Sequence, residues 1–416
     1  MRLRIKQNAY HFYIVLTTLL FIGCESPHRF KITEVGNPSA SNSGEVSIVV
    51  SPDEQLYLSW IEERDSLESV LYISTLDKDI FRESDQIISG HDWFINWADF
   101  PAIAFIGQMP SLFAHWLKMS DSGTYDYDIH YAIKANDESD WQEHGALHND
   151  GVAAEHGFVS SCTVDESLLA VWLDGRQTKS EIDAAATASP VHNHGHGGDM
   201  SLRSALIDQQ GHVTERLEID AKVCDCCQTD VVLSDCGPIA VYRDKSDAGI
   251  RDIFYSHLDN DTWSAPQPVH RDGWKIEGCP VNGPRIASSA GLLAVAWYTE
   301  SGGFRKTLLS TSTDCGQTFR KPVILSHDSV AMGRVDIQIS QDQHIFISYM
   351  EEDVGNANIW IAKCDAEGTL LYKAIVGRNK KSRKSGFPRM AIYGNKVYLA
   401  YRDLVKSNRI KVLKIS

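Results

Sequence analysis

Seven copies of one short pattern run along this chain, and their spacing constrains the fold more than any other feature. Each copy is an apolar segment that ends in an aromatic residue, which is often followed by a charged one. The marker aromatics are Trp60, Trp116, Trp172, Tyr242, Trp297, Tyr349 and Tyr401, separated by 56, 56, 70, 55, 52 and 52 residues. A period of about 40–55 residues built from short strands is typical of a β-propeller, in which each repeat is one four-stranded blade.

The repeats predict an all-β fold, a β-propeller of four-stranded blades. The number of motifs indicates seven blades, and six is the alternative if one motif belongs to an irregular blade. No long stretch with a helical period of 3.6 residues competes with this interpretation. The last repeat supplies only three strands, near residues 388–393, 396–401 and 409–415. We therefore expect residues 29–35 to close the ring as its outer strand, which removes open sheet edges.

The amino terminus is similar to a bacterial export signal. Basic residues precede an apolar run over residues 13–22, which is too short to span a bilayer comfortably. The run ends in Leu-Phe-Ile-Gly before Cys24, which resembles a lipobox, although Phe replaces the usual Leu. We expect a lipoprotein signal peptide over residues 1–23, a lipidated tether over 24–28 and a single propeller domain over 29–416. The alternative is an ordinary secretory signal with an incidental cysteine.

The resemblance implies an exported lipoprotein of the outer membrane or of the periplasm-facing envelope, since Glu25 rather than Asp follows the lipidated cysteine. No later stretch is long and apolar enough to span a membrane, so the lipid anchor is the expected membrane contact. With 40 Lys and Arg against 55 Asp and Glu, the formal net charge is −15. Nucleic-acid binders usually present a basic face. We expect a monomer without a nucleic-acid partner.

Residues 312–319, Ser-Thr-Asp-Cys-Gly-Gln-Thr-Phe, match the Asp-box, a capped hairpin turn in which Gly takes a positive φ. Further motifs carry the same resemblance at residues 96–101, 155–158, 224–230, 279–284 and 386–389. The chain thus resembles the sialidase-like (BNR, or Asp-box) propellers, in their exported bacterial lipoprotein branch. This resemblance implies a glycan or other small ligand and, for an enzyme, an exo-α-sialidase type of glycoside hydrolase. The chain departs from sialidases in counting seven blades rather than six and in lacking their early Arg-Ile-Pro.

Unusual residues occupy equivalent positions in successive repeats. In a propeller, the loops that precede the inner strands open on the same face as the loops between the second and third strands. Side chains in these loops therefore converge at one mouth of the central channel, hereafter the channel mouth. The residues placed there are Asp99, Glu155, His156, Cys226, Cys227, Asp230, Cys279, Asn282, Arg334, Asp336, Arg389, Arg243, Arg402 and the loop with His192, His194 and His196.

Several of these side chains are candidates for a glycosidase-like site. A sialidase-type site needs arginines that hold a carboxylate, an activated nucleophile and a separate acid/base. The catalytic candidates are Asp99 as acid/base, Glu155, and Tyr242 or Tyr401 as nucleophile. The substrate-binding candidates are Arg243, Arg334, Arg389, Arg402 and Asn282. The alternative is that Arg and Asp pair with one another and hold neighbouring blades together, so enzymatic activity remains open.

A cysteine cluster offers a different chemistry at the same mouth. Thiolates select Cu(I), Zn or Fe–S over hard cations, so copper or zinc is the candidate cofactor. The candidate ligands are Cys224, Cys226, Cys227, Cys279, His156, His194 and His196. The spacing matches no standard zinc pattern, and an oxidising envelope favours disulfides between blades, such as Cys224 or Cys227 with Cys279. Redox-active thiols, and an interaction scaffold without small-molecule chemistry, are the remaining alternatives.

Overall fold

The computed structural model describes residues 30–65, 68–108, 110–136, 140–179, 198–215 and 217–416. These residues form seven antiparallel sheets of four strands each, two of them with a divided outer strand. The sheets are the blades of a ring, so the chain is a seven-bladed β-propeller. The number of marker aromatics predicted this architecture correctly, and the six-bladed alternative is wrong.

The chain begins with β1 (Ile32–Val35), and the strands of blades one to four follow. Blade one contains β2 (Ser43–Val50), β3 (Leu56–Asp65), β4 (Glu68–Asp77), β5 (Ile80–Phe81) and β6 (Asp85–Gly90). Blade two contains β7 (Ala102–Ile106), β8 (Ser111–Met119), β9 (Tyr127–Lys134) and β10 (Gln142–Ala146). Blade three contains β11 (His156–Val164), β12 (Ser167–Asp174), β13 (Ser201–Ile207) and β14 (Val213–Glu215). Blade four contains β15 (Asp230–Ser234), β16 (Gly237–Arg243), β17 (Ile253–Asp259), β18 (Thr262–Trp263) and β19 (Gln267–His270).

The remaining blades have four strands each, and β1 belongs to the last of them. Blade five contains β20 (Arg285–Ser289), β21 (Leu292–Thr299), β22 (Lys306–Ser312) and β23 (Val323–His327). Blade six contains β24 (Ala331–Ile339), β25 (Ile345–Asp353), β26 (Asn356–Cys364) and β27 (Leu370–Lys380). Blade seven contains β28 (Arg389–Tyr393), β29 (Lys396–Asp403) and β30 (Arg409–Ile415). Short 3-10 turns occur at Arg176–Thr178, Ser301–Gly303, Asp328–Val330 and Arg383–Ser385.

The amino-terminal strand closes the ring. Strand β1 pairs antiparallel with β30, so that Ile32 lies opposite Ile415 and Val35 opposite Val412. The last blade is thus assembled from both ends of the propeller domain, as its missing fourth strand predicted. Within the described residues, no helix is long and apolar enough to cross a membrane.

The marker aromatics lie on the second strand of each blade and pack between neighbouring blades. All seven side chains are at most 2% exposed. At the border of blades three and four, Tyr242 lies in one hydrophobic cluster with Leu169 and Val171 of β12. Large aromatic side chains bury much apolar area, and four other markers lie in hydrophobic clusters with the preceding blade: Trp60, Trp172, Trp297 and Tyr349. The sequence period is therefore a packing period.

The Asp-box forms the turn between β22 and β23, on the face opposite the channel mouth. The Ser312 hydroxyl donates to Asp314 Oδ1 at 2.7 Å, and the Thr318 N–H donates to the same oxygen at 2.9 Å. Cys315 of this turn forms a disulfide with Cys236, in the turn between β15 and β16. This disulfide joins blades four and five on the face opposite the cysteines of the channel mouth.

Candidate functional site

The inner strands of all seven blades line a central cavity of about 440 Å³. Two carboxylates and two guanidinium groups face it. Arg285 bridges the carboxylates, since its Nη1 lies 3.2 Å from Asp230 Oδ1 and its Nε donates to Asp336 Oδ1 at 3.0 Å. Arg389 Nη1 lies 3.8 Å from Asp336 Oδ1 and is buried without a hydrogen-bond partner. The charges inside the channel therefore largely balance one another.

Both channel carboxylates also connect one blade to the next. Asp230 Oδ2 accepts the N–H of Ile286 at 2.9 Å, and Asp336 Oδ2 accepts the N–H of Met390 at 2.6 Å. Burial, together with the neighbouring charge of Arg285, lowers the pKa of Arg389 to about 10. Asp230 and Asp336 thus hold neighbouring blades together. The sequence had left this role open as the alternative to substrate binding. No recurring motif marks Arg285, so it was not among the sequence candidates.

Asp99 and Glu155 meet at the hydroxyl of Tyr127, the first residue of β9. This oxygen lies 2.8 Å from Asp99 Oδ2 and 3.1 Å from Glu155 Oε1. Asp99 Oδ1 also accepts the N–H of Phe158 at 2.7 Å. Glycine at position 157 is required here, because a Cβ atom would lie 2.0 Å from Asp99 Oδ2.

One hydroxyl proton serves only one of the two carboxylates. The second contact therefore needs a protonated carboxyl group that donates to the Tyr127 oxygen. Burial raises the pKa of Asp99 to about 7, and burial with the charge of Asp99 raises that of Glu155 to about 8. The group thus holds a proton near neutral pH and can act as an acid/base unit. Tyr127 was missed because it begins the third strand of blade two, outside the repeated motif.

The two tyrosines proposed as nucleophiles lie in the packing between blades. The Tyr242 hydroxyl donates to Asp220 Oδ2 at 2.7 Å. The Tyr401 hydroxyl lies against Gly377, where an added Cβ atom would be only 3.0 Å away. Burial raises the pKa of both phenols well above the ordinary value. Neither environment favours the phenolate that a nucleophile requires.

Two of the candidate arginines are engaged by backbone carbonyls. Arg243, which is 1% exposed, donates to the carbonyls of Arg251, Asn282 and Tyr298, with shortest distances of 2.6, 2.7 and 2.7 Å. The Asn282 Oδ1 in turn accepts the N–H of Arg334 at 2.8 Å. These contacts link blades four, five and six.

The guanidinium of Arg334 donates to the carbonyls of Gly386 and Ser382 at 3.0 and 3.2 Å, and burial lowers its pKa to about 10. Arg402 is less constrained: its Nη1 lies 3.9 Å from Glu45, and its buried Nε has no hydrogen-bond partner. The donors left open are therefore those of Arg402 and Arg389.

Four cysteines gather at the channel mouth, and we call them the thiol cluster: Cys224, Cys226, Cys227 and Cys279. All four are free thiols. The sulfur atoms of Cys224, Cys226 and Cys227 lie within 4.8 Å of one another, and those of Cys224 and Cys227 are 3.5 Å apart. The Cys226 and Cys279 thiols interact by a hydrogen bond. The cluster therefore combines one short loop of blade four with the loop before the inner strand of blade five.

Contacts with three blades hold the loop of the thiol cluster. The Cys224 N–H donates to the Arg243 carbonyl at 2.9 Å. Gln228 donates through Nε2 to the Ala98 carbonyl at 2.7 Å, and its Oε1 accepts the N–H of Gly283 at 2.9 Å. A Cβ atom at position 283 would lie 1.9 Å from the Gln228 carbonyl oxygen. The two cysteine-bearing loops are thus packed against each other with no room for a side chain at Gly283.

Within the thiol cluster the surroundings favour the ionised form of Cys227, whereas the thiol neighbours raise the pKa of Cys226. Burial opposes ionisation of Cys227, but hydrogen bonds with Cys224 and Cys226 and the charge of Arg243 outweigh it, so the pKa of Cys227 lies well below its ordinary value. Buried Arg251 lies beside Cys224, and the pKa of this guanidinium is raised because the nearby thiols and Asp225 outweigh its own desolvation. Thiolates are the form that binds metals.

His156 lies with carboxylates rather than among the grouped cysteine sulfurs. Its Nε2 is 3.1 Å from Asp150 Oδ2 and its Nδ1 is 3.4 Å from Asp128 Oδ1. Burial lowers the pKa of His156, but the neighbouring carboxylates outweigh it and raise the pKa to about 9. His194, His196 and the lipidation candidate Cys24 lie outside the described residues.

Solved structures similar to this chain are propellers of low sequence identity. The polysaccharide lyase Uly1 is 12% identical over 89% of this chain and 89% of its own, with a TM-score of 0.54. A protein of unknown function from Dyadobacter fermentans is 9% identical over 93% of this chain and 99% of its own, with a TM-score of 0.51. A Trypanosoma rangeli sialidase reaches 11% identity over 89% of this chain and 59% of its own, with a TM-score of 0.46. No protein-family profile and no curated protein sequence matches the chain.

At these identities the similarities establish the fold alone. The chain is a seven-bladed β-propeller, and glycan-acting enzymes are among the solved structures that share this architecture. The sialidase-like resemblance is thus supported for the propeller fold, while its lipoprotein branch stays a prediction. The class defined by fold and site is a propeller that gathers free thiols and proton-sharing carboxylates at one channel mouth.

Proposed function

We propose that this protein binds a soft transition-metal ion, copper(I) or zinc, in the thiol cluster. The observation that carries the proposal is the gathering of free thiols, with the Cys224 and Cys227 sulfurs 3.5 Å apart. Sulfur ligands placed tetrahedrally at about 2.3 Å from zinc lie about 3.8 Å from one another. Disulfide-bonded sulfurs are about 2.0 Å apart. The spacing therefore fits ligands of one ion better than disulfides between blades.

The charges around the cluster support the same conclusion. Three or four thiolates around one ion leave a net negative charge, which is costly to bury without compensation. Arg251 and Arg243 supply positive charge beside the cluster. Imidazole and carboxylate ligands would suit harder ions, whereas an all-sulfur set selects soft ones.

The test is metal content and free thiols measured together on protein exported to the periplasm with Cys24 replaced. We expect about one equivalent of copper or zinc per chain, with at least about a 100-fold loss of affinity in Cys227→Ser, since each ligand carries a large share of the binding energy. Cys364→Ser is the matched control, because Cys364 is a buried free thiol at the end of β26. Metal-free protein whose mouth cysteines are oxidised would contradict the proposal.

The second candidate function is binding or cleavage of a glycan at the same mouth. It is favoured by the Tyr127 hydroxyl that Asp99 and Glu155 share, because cleavage at a sugar needs an acid/base group of this kind. For an exo-sialidase type of reaction, Arg389 and Arg402 are the arginines with N–H groups left open for a substrate carboxylate. Arg243 and Arg334 are already bound to carbonyl oxygens.

Sialosides and acidic polysaccharides are the substrates to try. If the second candidate holds, Glu155→Gln lowers the rate by about 100-fold or more, the usual contribution of a general acid or base. Glu166→Gln is the control, since Glu166 lies in the turn between β11 and β12 and accepts from Gln209 at 2.9 Å. A rate that is equal in both variants would remove Glu155 from the reaction.

We also propose that the propeller is held at the envelope by a lipid on Cys24. The lipobox-like sequence before this cysteine supports the anchor. In a membrane fractionation, Cys24→Ala is expected to move the protein from the membrane to the soluble fraction. Unchanged membrane association would argue against lipidation.

A further inference from the structure

We propose that Asp128, His148 and His156 form a second metal site, for a divalent transition-metal ion, separate from the thiol cluster. We call these three residues the imidazole–carboxylate cluster. Asp128 is the second residue of β9, His148 follows β10, and His156 begins β11. The site therefore lies at the border of blades two and three, at strand ends that face the channel mouth.

The three donor atoms converge on one point. Asp128 Oδ1 lies 3.5 Å from His148 Nε2 and 3.4 Å from His156 Nδ1. The two imidazole rings are stacked, with centroids 3.7 Å apart and planes inclined by 16°. All three atoms lie within 4.8 Å of one another. Two imidazoles and one carboxylate form a donor set that suits zinc, iron(II) and related ions.

Independent support comes from the unpaired state of these atoms. Asp128 Oδ1, His148 Nε2 and His156 Nδ1 are all buried, and none has a hydrogen-bond partner. The side chains of His148 and His156 are only 4% and 0% exposed. An unsatisfied buried polar group costs about 1–3 kcal/mol, so three at one point call for an explanation. A cation between them would satisfy all three.

A carboxylate behind the rings orients them. Asp150 Oδ2 lies 3.1 Å from His156 Nε2 and 3.2 Å from His148 Nδ1. His156 Nε2 hydrogen-bonds to Asp150, whereas His148 Nδ1 faces the same carboxylate without a hydrogen bond. When the His156 ring is neutral with its N–H directed at Asp150, the nitrogen that faces Asp128 keeps its lone pair. Metal-binding histidines usually have such a carboxylate on the other ring nitrogen. Asp150 itself is held by the Val152 N–H at 2.8 Å and by Arg176 Nη2 at 3.1 Å.

A further carboxylate near His156 Nε2, that of Asp174, is already paired with other groups. Asp174 lies 3.7 Å from His156 Nε2, but Arg176 binds both of its oxygens, each at 2.8 Å. The Trp172 indole N–H donates to Asp174 as well, at 2.9 Å. The carboxylates on this side are neutralised by Arg176, so the open position for a cation is on the Asp128 side.

Cobalt(II) is the probe that separates this site from the thiol cluster, because thiolate ligands add a charge-transfer absorption that imidazole and carboxylate ligands lack. The protein is the mature chain with Cys24→Ala and Cys227→Ser, stripped of metal. We expect one equivalent of cobalt to bind with d–d absorption and without thiolate charge transfer. No bound cobalt, or a spectrum with thiolate charge transfer, would overturn the proposal.

Ligand variants are made in the same background. Asp128→Asn, which keeps the size of the side chain, is expected to weaken cobalt binding by at least about 100-fold, more than the loss of an outer-shell partner. His148→Gln should do the same, and far-UV circular dichroism checks that each variant is folded. The control is His144→Gln, because His144 is exposed and stacks on Tyr131 outside the cluster. Equal cobalt affinity in Asp128→Asn and His144→Gln would refute the site.

Discussion

The thiol cluster and the imidazole–carboxylate cluster lie on the same face of the propeller but are assembled differently. Three of the four thiols come from one four-residue stretch, Cys224 to Cys227, and a neighbouring loop adds the fourth. The imidazole–carboxylate cluster takes one residue each from β9, from the segment after β10 and from β11. Loop ligands adapt easily to a soft ion, whereas ligands at strand ends are fixed by the sheets.

Blade borders and loops can therefore carry distinct chemistry within one repeated fold. Near the entry to the inner strand, blade four places Cys227 three residues before β15, and blade three places His156 at the start of β11. A bulge in the inner strand carries Glu45 with a φ of 51° in blade one, Phe158 with a φ of 54° in blade three and Arg334 with a φ of 53° in blade six. Strained positions of this kind are often found at functional sites.

The largest expected effect concerns the support of the thiol cluster. Arg243→Met removes a buried guanidinium that donates to three carbonyl oxygens, among them that of Asn282 beside the cysteine loops. We expect a loss of about 3–5 kcal/mol in the free energy of unfolding, because charged hydrogen bonds are lost and buried carbonyls are left unpaired. Urea unfolding measures it.

The matched control for this prediction is Arg402→Met, which removes an arginine with only a 3.9 Å contact to Glu45 and one 3.4 Å hydrogen bond. Its cost should be smaller than that of Arg243→Met, because Arg402 makes one long hydrogen bond where Arg243 donates to three carbonyl oxygens. In the folded fraction of Arg243→Met, cobalt binding to the imidazole–carboxylate cluster should persist while thiol-site affinity falls. Equal losses at both sites would show that the two clusters are not independent.

The next prediction concerns Glu45, a buried carboxyl group that belongs to neither cluster. Burial raises the pKa of Glu45 to about 7, against the attraction of Arg402; Glu63 also raises it and Lys384 lowers it. A carboxyl group whose pKa is higher in the folded than in the unfolded state favours folding when protonated, so its contribution to stability decreases as the pH rises from about 4.5 to about 7.

Glu45→Gln should therefore be more stable than the parent at pH 8 by about 2–3 kcal/mol, and nearly equal to it at pH 5. Thermal unfolding of the metal-free protein at both pH values measures the difference. Glu83→Gln is the control, because it replaces an exposed carboxylate between β5 and β6 that is not among the charges acting on Glu45. A stability difference that does not change between the two pH values would mean that Glu45 is ionised throughout.

The sequence was sufficient for the fold because the repeat is a packing repeat. Trp60, Trp172 and their counterparts recur since every blade border needs a large buried side chain, and the strand missing from blade seven predicted the closure by β1. The repeat does not fix the strand ends: β17 begins only at Ile253, because the Arg251 N–H donates to the Trp274 carbonyl instead of joining the sheet.

The site was predictable where its residues are local in the chain, or where they occupy equivalent positions of the repeat, as Asp99 and Glu155 do. The cysteines stand out because three occur within four residues. Tyr127, Arg285 and His148 do not, since each acquires its partners only when two blades meet. Conversely, Tyr242 and Tyr401 occupy the same motif position as the buried tryptophans. That shared position indicates that the two tyrosines pack between blades.

The smallest expected effect measures how rigidly the imidazole–carboxylate cluster is held. Asp150→Asn keeps the size of the side chain but removes the charge that faces both histidines. Loss of such a carboxylate lowers metal affinity by about 10-fold or more. The thiol cluster has no carboxylate in this role, so its copper or zinc affinity should be unchanged in the same variant. Cobalt affinity in Asp150→Asn equal to that of the parent would mean that strand packing alone orients the rings; a parallel loss at the thiol cluster would mean that the two clusters share one support.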